Sequence, residues 1–310
     1  MIERVPVEEE YCAPVSRGAQ AIDWRAHVRD VRLDGRRLRY VDVGEGTLGF
    51  VCVHGLGGCW QHWTPTLAML SEHGRVLALD LPGFGASQPP RESITLELFA
   101  DTVARLAMLV GLERVVFIGH SMGGPIALRF ATRHPGLAHK LILVAGTVAS
   151  FSALLGLRDV RRIACTQPIE TLAVYTEALM SPLPVPRSLR HAIARSRRLR
   201  EATLWPYVWN PKELPPATAA LILKGAGARG GPQIVRAIGR SDPYEGLDKI
   251  DCPILSVGGQ HDRIAPQADF EAFQQIAPTA ESVLLEGAGH MMMLERPNTF
   301  NDRIRVWLRI

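Results

Sequence analysis

The sequence predicts an α/β fold, in which a mostly parallel sheet of eight strands is flanked by helices and interrupted by a helical insertion. Two observations lead to this prediction. Short apolar runs, typical of strands covered on both faces, alternate with stretches of helical periodicity over residues 27–146 and 246–310. Between about 147 and 245, Pro-rich stretches separate helical pieces and no clear buried strand appears. We therefore predict one core in two parts and an inserted helical cap.

The core begins with a predicted hairpin. The segments "HVRDVRL" and "RRLRYVDVG" alternate polar and apolar residues on either side of Asp34-Gly35, a pair typical of tight hairpin turns. Residues 1–26 precede this hairpin, and we expect them to form an irregular extension.

The remaining core elements alternate between buried strands and amphipathic helices. The strands are predicted at "GFVCVHG", "RVLALDLPG", residues 114–119, residues 140–145, "CPILSVGG" and "AESVLLEG". The helices are predicted at residues 61–73, 96–110, 122–134, 267–276 and 297–309. Gly111 and the pair His134-Pro135 are stop signals for the second and third of these helices.

Composition excludes several classes of function. The 310 residues are 47% apolar and 21% charged, as is ordinary for a globular protein, and their net charge is only +4. That charge is too small and too evenly spread to argue for a nucleic-acid partner. No apolar run approaches the ~20 residues that span a bilayer, so no membrane-spanning helix is expected.

The cysteines and the N-terminus indicate a cellular location. The five cysteines are odd in number and have neither zinc-site nor disulfide-framework spacing, and we expect Cys52 and Cys252 to be buried small apolar residues. The acidic N-terminus lacks the apolar core of a secretory signal. A reducing compartment, by default the cytoplasm, is therefore expected, and nothing in the sequence suggests a metal or an organic cofactor.

One serine stands between a predicted strand and a predicted helix. Gly119, Ser121 and Gly123 fit the pattern G-x-S-x-G, in which small residues let the chain turn sharply and expose the serine hydroxyl above the sheet edge. The N–H groups and positive dipole end of the following helix then point to the site. The alternative is a serine that only caps the helix. The strand–turn–helix context favours a nucleophile.

A serine hydroxyl needs a base, and the base needs an orienting group. His290 lies in the Gly-rich segment "EGAGHMMMLERP" after the last predicted strand, and Asp262 directly follows the strand "CPILSV". Alone, His290 could cap the next helix and Asp262 could be an ordinary turn residue. Because all three residues lie at strand ends in the order Ser, Asp, His, together they predict a catalytic triad.

The oxyanion of an acyl-transfer transition state needs backbone N–H donors. The N–H of Met122, directly after Ser121, is one candidate. The second is Leu56 in "VHGLGGCWQHW", where glycines allow an N–H group to point inward. A plain Gly-rich turn is the alternative. A phosphate-binding loop is disfavoured because neither G-x-G-x-x-G nor the P-loop pattern occurs.

Five segments together resemble the α/β-hydrolase superfamily: "HGLGG", "DLPGFGAS", "GHSMGG", "GGQHDRIAP" and "GAGHMMMLERP". The resemblance covers residues 28–146 and 250–310, and the insertion matches only in position and character. It implies an α/β-hydrolase fold. It implies that Ser121 is the nucleophile, Asp262 the acid and His290 the base of a triad. It also implies that Leu56 and Met122 are the oxyanion donors and that His54, with Gly55, braces the oxyanion loop. Asp80 and Gly83 resemble structural residues of the turn after the predicted strand "RVLALDLPG".

The resemblance also separates branches of this superfamily. A serine at position 121 disfavours the haloalkane dehalogenases and epoxide hydrolases, which attack with a carboxylate. The carbon–carbon hydrolases that act on ring-cleavage products usually have Trp directly after the catalytic His, whereas Met291 follows His290 here. Cofactor-free haloperoxidase-like members share a serine triad and stay open as an alternative.

Two features of the insertion, an aromatic segment and a basic segment, can each be interpreted in two ways. Trp205, Tyr207 and Trp209, together with Met291, could line an acyl pocket, or the aromatic residues could pack the cap onto the core. The segment "PRSLRHAIARSRRLR" predicts a basic helix that either docks an acidic carrier protein or CoA phosphates, or is a solvated Arg face. The second interpretation is favoured in each case.

The function predicted from sequence is a serine hydrolase that cleaves a carboxylic ester or related acyl bond of a small molecule through an acyl-enzyme. The same triad could instead serve C–C hydrolysis, lactone opening, acyl transfer or haloperoxidase-like chemistry. A ligand-binding protein on a hydrolase scaffold is the third hypothesis, and the intact triad argues against it. A buried Arg facing Ser121 from the cap would indicate an acidic substrate.

Overall fold

A nine-stranded sheet forms the centre of the computed structural model, which describes residues 2–14, 22–180 and 183–310. The strands are β1 (Ile2–Val5), β2 (Val28–Leu33), β3 (Arg36–Val43), β4 (Leu48–Val53), β5 (Arg75–Leu79), β6 (Arg114–His120), β7 (Ala138–Val144), β8 (Ile254–Gly259) and β9 (Glu281–Leu285). Their order across the sheet is β1-β9-β8-β7-β6-β4-β5-β3-β2. β3 is antiparallel to both of its neighbours, and the other pairs are parallel. The predicted mostly parallel α/β sheet is confirmed.

The ninth strand corrects the expectation of an irregular extension over residues 1–26. The eight predicted strands are present, and β1 adds to them by pairing with β9 in parallel, from Ile2 opposite Ser282 to Val5 opposite Leu285. A strand of four residues, half of them exposed, is too short to show a reliable alternation. A short 3-10 helix, Trp24–His27, also lies in this segment, whereas residues 1 and 15–21 lie outside the described part.

Thirteen α-helices accompany the sheet in the described part of the chain. They are α1 (Thr64–Ser71), α2 (Leu96–Leu109), α3 (Gly123–Arg133), α4 (Ala149–Leu155), α5 (Val160–Thr166), α6 (Pro168–Met180), α7 (Arg187–Arg195), α8 (Arg197–Leu204), α9 (Pro216–Ile222), α10 (Gly231–Arg240), α11 (Gln267–Ile276), α12 (Met292–Glu295) and α13 (Pro297–Leu308). None of these helices combines the length and the apolar composition that crossing a bilayer requires.

Local sequence signals determine several element boundaries. The turn residues Asp34 and Gly35 have φ values of 51° and 72°, which is the left-handed pair that a two-residue hairpin needs. The side chain of Thr95 accepts a hydrogen bond from the N–H of Leu98 and so caps the start of α2. α2 ends two residues before Gly111, whose φ of 80° reverses the chain toward β6.

Seven helices, α4 to α10, fill the chain between β7 and β8, where the sequence shows no buried strand. The basic segment predicted as one helix is two, α7 and α8, separated at Ser196. The Ser196 side chain accepts from the N–H of Leu199 and starts α8, as an N-cap serine does. Cys52 is buried as expected, but Cys252 is only half-buried because it lies just before β8 begins.

Candidate active site

Ser121 lies on a strained turn between β6 and α3. Its φ is 52°, in the left-handed region that a non-glycine residue rarely occupies, and its N–H donates to the carbonyl of Val144 at 2.8 Å. A Cβ at Gly119 would lie 2.1 Å from the carbonyl oxygen of Gly123, and one at Gly123 would lie 2.8 Å from that of Val53. The turn therefore requires both glycines of the predicted motif.

Asp262 and His290 form a buried hydrogen-bonded pair at the ends of β8 and β9. His290 Nδ1 lies 2.8 Å from Asp262 Oδ2, and the two side chains are almost wholly buried. Asp262 Oδ1 accepts from the N–H groups of Ile264 and Ala265 at 2.8 and 2.9 Å. Both carboxylate oxygens are thus held, and the orientation of the imidazole is fixed. We call these two residues the Asp–His pair.

The environment of His290 favours a base that binds its proton firmly. Burial lowers the pKa of the imidazole, but the charge and hydrogen bond of Asp262, joined by the charges of Glu177 and Glu295, raise it above its usual value of 6.5. Its Nε2 is buried and has no hydrogen-bond partner within the described residues. That nitrogen is therefore free to exchange a proton with a reacting group.

His120, next to Ser121, holds the backbone of His290. Its Nε2 donates to the carbonyl of His290 at 3.0 Å, and the two rings lie 4.7 Å apart between centroids. Burial lowers the pKa of His120 well below its usual value, with the neighbouring His290 adding to the effect, so this ring is a neutral donor. The side chain that connects Ser121 to the base thus comes from the G-x-S-x-G motif itself.

The loop after β4 lies directly against the serine. A Cβ at Gly55 would lie only 2.8 Å from the Cβ of Ser121. Within the described residues, the N–H groups of Leu56 and Met122 donate to no other protein group, as oxyanion donors require. The two candidate donors therefore lie on the two backbone segments that meet at Ser121.

His54 braces this loop. Its Nε2 accepts from the N–H of Leu81 at 3.1 Å, so the ring proton lies on Nδ1, which donates to the carbonyl of Gly55 at 2.8 Å. Burial lowers its pKa to about 4, which keeps the ring neutral.

In the turn after β5, the carboxylate of Asp80 accepts from the N–H groups of Trp60 and Ala86 at 2.9 and 2.8 Å. Nearby Gly83 has a φ of 86°.

A second buried carboxylate, that of Glu295 in α12, supports the histidine loop. Glu295 Oε1 accepts from the N–H of Gly289 at 3.0 Å, and Oε2 accepts from the hydroxyl of Tyr11 at 3.0 Å and from the N–H of Trp209 at 2.7 Å. Burial raises its pKa to about 7, and these hydrogen bonds oppose that rise. Glu295 joins three distant segments beside His290, and no local sequence pattern singled it out.

The residues that could line a pocket make contacts between the insertion and the core. The ring of Trp209 stacks on His261 at 5.6 Å between centroids, meets the edge of Tyr11 at 5.8 Å, and lies 5.3 Å from the guanidinium of Arg296. These contacts favour the packing interpretation of Trp209. The carbonyl of Trp205 accepts from Arg263 at 2.6 Å, and the N–H of Met291 donates to the carbonyl of Tyr207 at 3.1 Å.

Glu177 in α6 is a candidate functional residue that the sequence analysis missed. Its side chain is buried at 2% exposure, and its Oε2 has no hydrogen-bond partner within the described residues. Burial raises its pKa to about 7, with the charges of His290 and Asp262 exerting opposite smaller effects. The signal that could have revealed it is an acidic residue on the same helix face as Ala173 and Val174, which are both buried.

The arrangement contains the groups that acyl transfer requires. A strained serine, a base with a free nitrogen, an anchored carboxylate and two candidate backbone donors all lie at the carboxyl edge of the sheet. Within residues 2–14, 22–180 and 183–310, no three His, Cys, Asp or Glu side chains group as metal ligands do.

Comparison with known proteins gives consistent results. A family model described as alpha/beta hydrolase fold matches residues 50–297. The dihydrolipoyllysine-residue acetyltransferase component of an acetoin cleaving system from Cupriavidus necator is 30% identical over 279 residues, 88% of this chain and 67% of that protein. A putative carbamate hydrolase from Pantoea ananatis is 27% identical over 256 residues, 82% of this chain and 86% of that protein.

A solved structure shares the architecture. It is that of a thermophilic esterase from Thermogutta terrifontis, which has a TM-score of 0.66 and 24% identity, with 91% of this chain and 97% of that chain covered. At this identity the likeness concerns the fold alone.

Proposed function

Because the chain belongs to the alpha/beta hydrolase fold family, we propose that it is a serine hydrolase that cleaves a carboxylic ester or a related acyl bond through an acyl-enzyme. The observation that carries the proposal is the strained Ser121 beside a buried Asp–His pair with its 2.8 Å contact and a free Nε2. The roles of nucleophile, base and acid fall to Ser121, His290 and Asp262.

In the first half of the reaction, His290 Nε2 accepts the proton of Ser121 as Oγ attacks the acyl carbon. The carbonyl oxygen becomes an oxyanion, which the N–H groups of Leu56 and Met122 stabilise. The bond to the leaving group then breaks, and the leaving group takes the proton from His290. Asp262 stabilises the imidazolium in the interval, as its effect on the pKa of His290 requires.

In the second half, water replaces the leaving group. His290 Nε2 accepts a proton from water as the water oxygen attacks the acyl carbon, and the oxyanion forms at the same donors. The bond between this carbon and Ser121 Oγ breaks, Oγ takes the proton from His290, and the acid is released. Water and the groups of this chain account for every proton and every bond exchanged in the two half-reactions.

The inserted helices, residues 147–245, act as a cap over this site. Three contacts support this role. Arg263, next to Asp262, donates to the carbonyl of Trp205 at 2.6 Å, and the N–H of Met291 donates to that of Tyr207 at 3.1 Å. A Cβ at Gly225 would lie 2.4 Å from carbonyl oxygens of the oxyanion loop. In this proposal, the molecule that binds between the cap and the core is a small acyl substrate.

The five free cysteines fit a cytoplasmic location, since none of them forms a disulfide. The exposed arginines of α7 and α8 serve as a solvated face rather than as a carrier-protein or CoA site. Arg195, Arg197 and Arg198 on this surface are exposed to solvent.

The test is hydrolysis of short-chain aryl esters by the wild type and by Ser121→Ala. We expect the variant to lose at least about 10³-fold in kcat, since the nucleophile is absent. Ser282→Ala is the control, because Ser282 is equally buried and its hydroxyl has no partner within the described residues. A fluorophosphonate probe should label the wild type and the control but not Ser121→Ala. Full activity of Ser121→Ala would disprove the mechanism.

A further inference from the structure

Glu177 differs from the other buried carboxylates of the described structure in having an unsatisfied oxygen. Asp262 accepts three hydrogen bonds, Glu295 accepts three, and Asp269 accepts two from Ser150. The Oε2 of Glu177 is equally buried and accepts none within the described residues. A buried carboxylate without donors is costly, so its presence calls for an explanation, and a bound cation is one such explanation.

The helix α6 directs this carboxyl inward. Ala173, Val174 and Glu177 are its buried residues, whereas Leu172 and Leu179 on the opposite face are exposed at 60% and 68%. The acidic side chain therefore takes the place of an apolar one on the packed face of an amphipathic helix.

The packed face of α6 lies near the catalytic base. The charges of Glu177 and His290 influence each other, and that of Glu177 also acts on Tyr207. The carbonyl of Tyr207 in turn accepts from the N–H of Met291, the residue after His290, at 3.1 Å. Glu177 thus belongs to the insertion and lies close enough to His290 and Asp262 for their charges to act on one another.

The arginine next to Asp262 is engaged by backbone carbonyls. The guanidinium of Arg263 binds the carbonyls of Trp205 and Val208 at 2.6 and 3.1 Å. A buried Arg facing Ser121 would have indicated an acidic substrate, and the described insertion presents a carboxyl near the site instead.

We propose that Glu177 is a specificity-determining residue that binds a positively charged nitrogen of the substrate, so that the enzyme prefers acyl compounds carrying a cationic group near the scissile bond. This inference rests on the proposed serine-hydrolase function. A cation would supply the partner that Oε2 lacks, and its charge would favour the ionised carboxylate. A substrate carboxylate in the same place would meet the negative charges of Glu177 and Asp262 and be excluded.

The test uses two p-nitrophenyl esters of the same shape. One carries the 4-(trimethylammonio)butyryl group and the other its neutral isostere, the 5,5-dimethylhexanoyl group, so that only the charge differs. At about pH 8 we expect the wild type to prefer the cationic ester in kcat/KM by about ten-fold or more, the range of a charge-assisted contact. In Glu177→Gln this preference should fall by about ten-fold, through a higher KM for the cationic ester.

Two further variants sharpen the test. Glu170→Gln removes a charge from the first turn of the same helix and should leave the preference unchanged. Glu177→Asp keeps the charge and should retain part of the preference. An unchanged preference in folded Glu177→Gln overturns the inference, as does a variant that shifts only the pH profile of the neutral ester, because Glu177 then acts on His290 alone.

Failure of the proposed function has a different signature. If the wild type hydrolyses neither ester and its Ser121 resists the fluorophosphonate probe, the serine-hydrolase function is wrong. If Ser121 is labelled and the neutral ester is cleaved without any preference for the cation, only the role of Glu177 is wrong.

Discussion

The carboxyl edge of the sheet and the inserted helices meet at the site, but they build it in different ways. At the sheet edge, each candidate catalytic group is fixed by backbone contacts, as Gly119 against Gly123 and Gly259 against Gly289 illustrate, with hypothetical Cβ contacts of 2.1 and 2.3 Å. In the insertion, the carboxyl of Glu177 is buried and its Oε2 has no hydrogen-bond partner within the described residues. The edge therefore has little tolerance for change, and the position of Glu177 in the insertion has more.

Under the proposed function, this difference separates chemistry from selectivity. Changes at the sheet edge should reduce both activity and stability, because the same contacts serve both. Changes on the inner face of the insertion should alter the choice of substrate, and some should even increase stability. Four variants test that division: two at the sheet edge, one in the insertion and one where the two regions join.

The largest effect is expected for Asp262→Asn at the sheet edge. The imidazole loses the charge that raises its pKa and the acceptor that fixes its Nδ1 proton, so kcat should fall by about 10³–10⁴-fold. In the wild type, protonation of His290 removes the base, and the acid limb of kcat/KM should lie above the usual imidazole pKa of 6.5. Asp248→Asn, at an exposed position, is the control. An acid limb below 6.5 in the wild type would contradict the assignment.

Gly119→Ala tests the same edge through its backbone. The added Cβ would lie 2.1 Å from the carbonyl oxygen of Gly123, a distance that only displacement of α3 can relieve. The free energy of unfolding should fall by about 3 kcal/mol, together with esterase activity. Urea titration measures the first and aryl-ester hydrolysis the second. Gly136→Ala has open space around it and should change neither. Retention of both properties in Gly119→Ala would show that the turn tolerates a side chain.

On the insertion side, Glu177→Gln should stabilise the protein at high pH. The pKa of Glu177 is raised from 4.5 to about 7 by burial, so the fold is favoured while the carboxyl is protonated, and this contribution is lost as the pH rises through 7. At about pH 8 the variant should be more stable by up to roughly 3 kcal/mol, and the gain should vanish near the unfolded pKa. Urea titration at about pH 8 and near pH 4.5 measures the free energy of unfolding of the wild type and the variant, with Glu170→Gln as control. A variant that is less stable at about pH 8 would contradict it.

The smallest effect is expected where the two regions join. Arg263→Met removes the hydrogen bonds to the carbonyls of Trp205 and Val208, so the free energy of unfolding should fall by about 1–2 kcal/mol. KM should rise more than kcat falls, because the insertion is held less firmly while Ser121, Asp262 and His290 are unchanged. Arg305→Met, on the exposed face of α13, should do neither. A loss of kcat as large as that of Asp262→Asn would mean that Arg263 belongs to the catalytic machinery.

The same contrast explains what the sequence could reveal. The positions of Ser121, Asp262 and His290 follow from signals spaced over a few residues, since each stands where a buried strand ends. Close backbone approach demands glycine, so the motif is visible before the fold is known. The eight strands with clear apolar patterns were predicted on the same basis.

Residues that act across long sequence separations could not be predicted. Glu295 meets the hydroxyl of Tyr11, 284 positions earlier in the chain, and neither position carries a local signal. Glu177 looks like any helical glutamate until the helix is packed. The break at Ser196 depends on a single cap within an otherwise helical composition, which is a weak signal beside the surrounding arginines and alanines.

The short strand β1 has a consequence for how copies of this chain meet one another. Without it, β9 would be an edge strand, with unpaired backbone groups beside the buried side chains of Val283 and Leu284. An edge strand is a template for pairing with another chain, and β1 takes its place as an edge strand that carries the exposed residues Glu3 and Arg4. The edge strand on the opposite side, β2, also carries exposed charged residues. We therefore expect β1 to disfavour edge-to-edge pairing of the sheet with another chain.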